Sequence, residues 1–184
     1  MRTHTQRRKL RIKGRTALGL AVIATLAVPT APALAGSGGV GADGSDAPKG
    51  AKAKLINGKA VAPAGAPAEV VAAIQAANRI DKKPYKYGGG HQKFRDKGYD
   101  CSGAVSYVLH KAGLLASPLD SSGLAKWGKR GKGDWITVYG NPGHAYAMIA
   151  GLRWDTSMTP GNGPGWSKEK RSGRGYKKRH WKGL

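Results

Sequence analysis

Tyr99-Asp100-Cys101-Ser102-Gly103 is the stretch on which the reading of this chain turns. It holds the only cysteine of the 184 residues. Beyond it, Val105, Val108, Leu109 and Ala112 recur at i, i+3, i+4 and i+7, one apolar face of a helix, and Gly113 supplies a stop. Cys101 therefore stands at or near a helix N-terminus, where unpaired N–H groups and the helix dipole favour an anion such as a thiolate. The plain alternative for a lone cysteine is a small buried hydrophobe. The polar neighbours Asp100 and Ser102 favour an accessible, nucleophilic thiol instead.

Two further segments supply partners. Gly140-Asn141-Pro142-Gly143 is a turn, and His144 opens the apolar run Ala145 to Ala150 that follows it. Asp155 stands eleven positions beyond His144, within Leu152-Arg153-Trp154-Asp155-Thr156-Ser157. A cysteine on a helix, a histidine opening one strand and a carboxylate on the next form a nucleophile, a base and a group that orients the base.

Taken together, Pro84-Tyr85-Lys86-Tyr87-Gly88-Gly89-Gly90, the Asp-Cys-Ser-Gly stretch and Gly143-His144-Ala145-Tyr146-Ala147 resemble the NlpC/p-sixty cysteine peptidases of bacterial cell walls. Gly163-Pro164-Gly165-Trp166 and the ending Arg179 to Leu184 are similar to secreted actinobacterial members, and the likeness runs from about Glu69 to Leu184. It implies Cys101 as nucleophile, His144 as base and Asp155 in the third place, where the family more often has histidine or another polar residue. Gly133-Asp134-Trp135 matches only loosely the Gly-Asp-Leu segment that usually precedes the histidine. The resemblance further implies a papain-like α+β fold, with N-terminal helices including the cysteine helix packed on an antiparallel β-sheet. The implied substrate is the peptidoglycan stem peptide, cut by family analogy between D-γ-glutamate and diaminopimelate. Tyr85, Asp100 and Ser102 would line the substrate groove. Each has a structural alternative: Tyr85 as a packed loop tyrosine, Asp100 as the helix cap. No metal or organic cofactor is implied.

The formal net charge is +22, and aromatics are only 7% of residues while glycine contributes 29. Residues 1–35 hold seven basic and no acidic residues, so the rest keeps about +15. Such a charge favours anionic cell-wall polymers. Nucleic acid is not expected, because the aromatic residues do not interleave with basic ones in a nucleic-acid motif. One cysteine excludes an internal disulfide framework, and no Cys/His spacing fits a metal site.

Arg2, Arg7, Arg8, Lys9, Arg11, Lys13 and Arg15 precede the apolar stretch Ala17 to Val28, and Ala33-Leu34-Ala35 is a small-x-small cleavage site. This reads as a secretory signal peptide over 1–35 rather than an uncleaved anchor, with Arg7-Arg8 leaving open the ordinary and twin-arginine routes. The mature protein is expected outside the cell, wall-associated, monomeric and without stable membrane insertion. Residues 36–67, rich in Gly, Ala, Pro and Lys, read as a disordered linker, and 68–184 as the peptidase domain.

Within that domain, Pro67 to Asn78 reads as a helix with Pro67 at N1 and Val70, Val71, Ile74 and Ala77 as its core stripe. Ser121 to Trp127 reads as a short helix, and Lys129, Arg130 and Lys132 as a solvated edge. Trp135 to Tyr139, Ala145 to Ala150 and Arg153 to Thr156 read as strands, with Lys168 to Lys178 a basic loop leading to a last strand. His91 is read as a solvated loop residue, His110 as a surface or packing residue, and His180 as non-catalytic. Two other classes of function stay beside the hydrolase: a related amidase or transpeptidase on the same Cys-His frame, and a non-enzymatic basic wall- or nucleic-acid-binding protein.

Overall fold

A computed structural model describes residues 50–157 and 163–184, all within one unit spanning Gly39–Leu184. The expected signal peptide and the first part of the expected linker lie outside the described residues.

The second part of that linker is not disordered, which corrects the sequence reading. Lys54–Ile56 (β1) and Lys59–Val61 (β2) form an antiparallel hairpin. Asn57 and Gly58 turn it with positive φ angles of 49° and 77°, the Asn-Gly signature of a tight hairpin. Its anchors are not local. The Asn78 side chain donates from Nδ2 to the Ala60 carbonyl at 2.8 Å and accepts from the Ala60 N–H at 3.0 Å. Ala53 N–H donates to the Ala150 carbonyl at 2.8 Å.

Helix α1 spans Ala68–Ile80. Pro67 is its N-cap, with extended backbone, rather than its first helical residue. Val70, Ala73, Ile74 and Ala77 are buried, while Val71 is only half-buried. Fully burying Val70 and Ile74 stabilises the unit by about 1.5–3 kcal/mol each. This face packs on α2, Cys101–Lys111, whose residues Ser102 to Leu109 are all buried. The apolar periodicity of α2 turns its core face towards α1 on one side and the sheet on the other.

The remaining elements build the sheet. Ser121–Leu124 (α3) is one turn long, and is followed by β3 (Lys129–Arg130), β4 (Ile136–Asn141), β5 (His144–Ile149), β6 (Leu152–Asp155), β7 (Gly165–Ser167) and β8 (Lys177–His180). The strands lie in the order β3-β8-β4-β5-β6-β7, and every pair is antiparallel. The fold is therefore α+β, with the cysteine helix packed on an antiparallel sheet. β7 was not foreseen, and the expected solvated edge at Lys129 and Arg130 pairs with β8 while staying exposed.

Alternation along the strands sorts the two faces of the sheet. Ala145, Ala147 and Ile149 of β5 and Leu152 and Trp154 of β6 are buried on the α2 side. The opposite positions, His144 and Tyr146 of β5 with Arg153 and Asp155 of β6, share the other parity. On that parity Tyr146 stacks on Tyr139 of β4, ring centroids 4.5 Å apart. The face thus presents His144 and Asp155 at neighbouring strand ends.

Candidate active site

Cys101 is the first residue of α2, and Asp100 caps that helix. Asp100 Oδ1 accepts from the Gly103 N–H at 2.7 Å, and Oδ2 accepts from the Gly88 N–H at 3.0 Å. One carboxylate therefore fixes both the helix start and the glycine loop before it. The loop lies so close that a Cβ on Gly103 would collide with the Gly89 carbonyl oxygen. Gly103 and the glycines 88–90 are one packing unit, so the two motifs recognised separately in sequence meet at the thiol.

Asp100 and Ser102 are 7% and 4% exposed, and their polar atoms face inward. The Ser102 hydroxyl lies 3.2 Å from Asp100 Oδ1. His91 Nε2 lies 2.9 Å from Asp100 Oδ1 and 3.1 Å from Ser102 Oγ. His91 is thus half-buried against the cap rather than solvated, a correction to the sequence reading. The contact joins residues nine apart across the glycine loop, and no local pattern foretells it. His110 is a packing residue: its ring stacks on Phe94 with centroids 3.7 Å apart, and Nδ1 pairs with the Leu115 carbonyl at 3.0 Å. His180 lies on β8 at the far side of the sheet order, its Nδ1 against the Gly131 carbonyl.

His144 is placed by the turn before it. Asn141 Oδ1 accepts from the Gly143 N–H at 2.9 Å and the His144 N–H at 2.8 Å. Asn141 pairs with His144 in the β4–β5 ladder, so Pro142 and Gly143 form a two-residue connection. The Ser121 hydroxyl donates to the Pro142 carbonyl at 3.1 Å and ties this turn to α3. The histidine backbone is thereby fixed where its ring reaches both neighbours.

The structure brings the three expected residues together. His144 Nε2 lies 2.9 Å from Asp155 Oδ1, and the imidazole and the Cys101 thiol are close enough to shift each other's titration. A carboxylate only accepts, so Nε2 carries a proton.

Burial pushes the Cys101 thiol up, but the hydrogen bonds from His144 and the Ala145 N–H, with the imidazolium charge, leave it below its ordinary value. Burial opposes the charge on His144 as well. The hydrogen bonds to Asp155 and Cys101 and their negative charges prevail and raise it to about 9. Burial would also raise Asp155. The His144 contact and charge, the Ser157 N–H and Arg171 lower it to about 2 instead. These shifts point the same way: each favours the charged form of its group, thiolate, imidazolium and carboxylate.

Two residues of this cluster escaped the sequence reading. Arg171, in the loop before β8, donates from Nη1 to Asp155 Oδ2 at 3.0 Å and to Ser157 Oγ at 2.7 Å. Ser157 in turn donates its N–H to Asp155 Oδ1 at 3.2 Å. In sequence, Arg171 is one cation in a basic loop, and nothing singles it out. Tyr85 stands at the mouth of the site, 45% exposed. Partial burial raises its hydroxyl, and the negative charges of Cys101 and Asp100 raise it further, which puts the ring within electrostatic reach of the thiol.

No family model matches the chain, and no curated protein matches it. Among solved structures, the peptidoglycan hydrolase RipB from Mycobacterium tuberculosis is similar at 21% identity and a TM-score of 0.46, over 60% of this chain and 64% of that one. A hypothetical invasion protein of Mycobacterium tuberculosis is similar at 20% identity and a TM-score of 0.45, over 60% and 61%. The P60 domain of an antigen of M. avium subspecies paratuberculosis is similar at 18% identity and a TM-score of 0.44, over 60% and 93%. This chain thus spans less than two thirds of the length of the first two, and the chemistry of the site rests on its own geometry.

Proposed function

We propose that this protein is an exported, wall-associated cysteine endopeptidase that hydrolyses an amide bond in peptidoglycan stem peptides, the bond between D-γ-glutamate and diaminopimelate. The observation that carries the reaction type is the His144–Asp155 contact at 2.9 Å, beside a thiol at the start of α2 that His144 lowers. The motif resemblance supplies the substrate class, and the secretory pattern of residues 1–35 supplies the location.

In this mechanism the Cys101 thiolate attacks the carbonyl carbon, the C=O π pair moves to oxygen, and a tetrahedral intermediate forms. The N–H of Cys101 is the proposed oxyanion donor. The N–H groups of Gly103 and Ala104 are already engaged by the Asp100 side chain and carbonyl. His144 then gives its proton to the departing amine as the C–N bond breaks, which leaves a thioester. Water, deprotonated by the now neutral His144, attacks the thioester carbonyl; the C–S bond breaks, the acid leaves, and the thiolate and imidazolium are restored. Asp155 keeps the imidazole in one tautomer throughout.

Tyr85 borders the thiol and contacts the peptide in this reading. Asp100 and Ser102 act on it through the residual capacity of their oxygens, alongside their structural contacts. Anionic wall polymers are the second partner. A groove of about 880 Å³ adjoining the site at Asn141 and Tyr176 is lined by Lys126, Arg130, Lys177, Lys178 and Arg179, a cationic track that supports this pairing. The protein works as a monomer. Mass spectrometry of muropeptides after digestion tests the function: new fragments ending at D-glutamate are expected, and an unaltered muropeptide profile overturns the proposal.

A further inference from the structure

Arg171 does more than fill a surface position. Its guanidinium carbon lies 5.7 Å from the Tyr146 ring centroid and 5.8 Å from that of Tyr176, so two aromatic rings and the Ser157 hydroxyl hold one cation in place. Nη1 stands 3.0 Å from Asp155 Oδ2 and 3.3 Å from His144 Nε2. The second distance is not a hydrogen bond. Nε2 already carries the proton that goes to Asp155 Oδ1, and a guanidinium only donates. Cations therefore stand at both oxygens of one carboxylate, His144 on Oδ1 and Arg171 on Oδ2, with Arg153 farther off beside Oδ2.

The Asp155 side chain is fully buried, whereas the Arg171 side chain is 33% exposed. A buried carboxylate without Arg171 would direct its whole negative charge at the imidazolium. With Arg171 that charge is divided, and the guanidinium also opposes the positive ring directly. The other charged or titratable groups facing the pair are Cys101 and Asp100 from the start of α2, Tyr146 of β5, Arg153 of β6 and Tyr176. The Nε of Arg153 lies 3.9 Å from Asp155 Oδ2, too far for a hydrogen bond. The guanidinium of Arg171 combines a hydrogen bond to the carboxylate with contact to the ring.

We propose that Arg171 is a positioning residue of the thiol site: it anchors Asp155 through Oδ2 and divides that carboxylate's charge, so that the imidazolium of His144 releases its proton to the departing amine instead of retaining it. This rests on the cysteine-peptidase reading for its catalytic consequence, but not for its electrostatic one. An acid that holds its proton too tightly is a poor general acid.

The test is a titration of the histidine ring nitrogens by ¹⁵N NMR in the full chain, with His144 assigned through its loss in His144→Gln. In Arg171→Met the His144 midpoint is expected to rise by at least about half a pH unit, because a neighbouring cation has gone. In Arg171→Lys, which keeps the charge, the midpoint should stay near the wild-type value. Turnover of muropeptides should fall roughly tenfold in Arg171→Met through kcat, with KM unchanged, as expected of a residue that acts through Asp155 and His144. An unchanged or lowered His144 midpoint in a folded Arg171→Met overturns the proposal, as does an equal rise in both variants. If wild-type protein leaves muropeptides uncut while the midpoint still rises in Arg171→Met alone, the substrate reading fails and the role of Arg171 stands.

Discussion

Gly103 and Gly89 touch backbone to backbone: the α-carbon of Gly103 faces the Gly89 carbonyl with no room for a methyl group between them. This contact sets the distance between the glycine loop and the cysteine helix, and with it the position of the sulfur. Gly103→Ala should therefore cost at least about 1–3 kcal/mol of stability, as overpacking against an unyielding backbone does. The measurement is thermal unfolding by circular dichroism together with the alkylation rate of the thiol. Wild-type values of both would show that the loop shifts freely.

Cys101→Ala should abolish muropeptide cleavage and leave the melting curve close to wild type, since the side chain is small and only partly buried. Iodoacetamide treatment of the wild type should do the same, because no second thiol competes. Full turnover in the alanine variant, purified free of other hydrolases, rules out the thiol mechanism.

His144→Ala should match the cysteine variant in rate, because nucleophile and base act as a unit. Asp155→Asn should be milder, with a loss on the order of 10²–10⁴ in kcat. It should also lower the melting temperature, since Arg171 loses the carboxylate at 3.0 Å. Asp155→Asn with wild-type kcat means that the imidazole is oriented by something else.

The pH dependence follows from the shifts. The reactive form needs the thiol ionised and His144 protonated, so kcat/KM should fall on the alkaline side near pH 9, where His144 loses its proton. On the acid side it should fall below the ordinary thiol range, since Cys101 is lowered. Asp155 stays ionised to about pH 2 and sets neither limb. Stability carries the same signs. The raised His144 contributes fully below its unfolded value of 6.5, and that contribution is lost as pH rises through about 9. The lowered Asp155 contributes above 3.8 and is lost as pH falls through about 2. Melting temperatures across pH in wild type and His144→Ala isolate the first effect: the alkaline decline should be shallower in the variant.

Lys177→Glu and Arg130→Glu place an acid in the cationic groove. Each should raise KM on intact walls roughly three- to tenfold at low salt, with little effect on a small soluble muropeptide. Added sodium chloride should erase the difference, as the Debye length shortens to ~8 Å near physiological ionic strength. Equal losses on both substrates would place the effect at the thiol site or in the fold.

The parts of this site that sequence discloses are those set by local rules. Cys101 is legible because apolar residues three and four apart write the helix behind it, and His144 because Asn-Pro-Gly writes the turn before it. Asp155 follows from both: a tight hairpin fixes register, and strand alternation gives His144 and Asp155 the same parity. What sequence hides is set by distant partners. The β1–β2 hairpin carries a legible Asn57-Gly58 turn but lies in a Gly-, Ala-, Pro- and Lys-rich stretch, and it is held by the amide of Asn78, far off in sequence. β7 has three residues and is defined by its pairing with β6. Arg171 and His91 belong to the cluster through contacts across loops, and their neighbours in sequence resemble them in charge or polarity.

Asn78 also joins three elements through one side chain. Its Oδ1 takes hydrogen bonds from the Ala60 N–H and from Trp166 Nε1, the latter at 2.9 Å, so hairpin, α1 and β7 share one knot. A pull on the chain at residue 50 is carried by that knot and by the bond from Ala53 to Ala150, which follows the last residue of β5. His144 is the first residue of the same strand. The hairpin thus ties to the sheet at one end of β5, while His144 stands at the other.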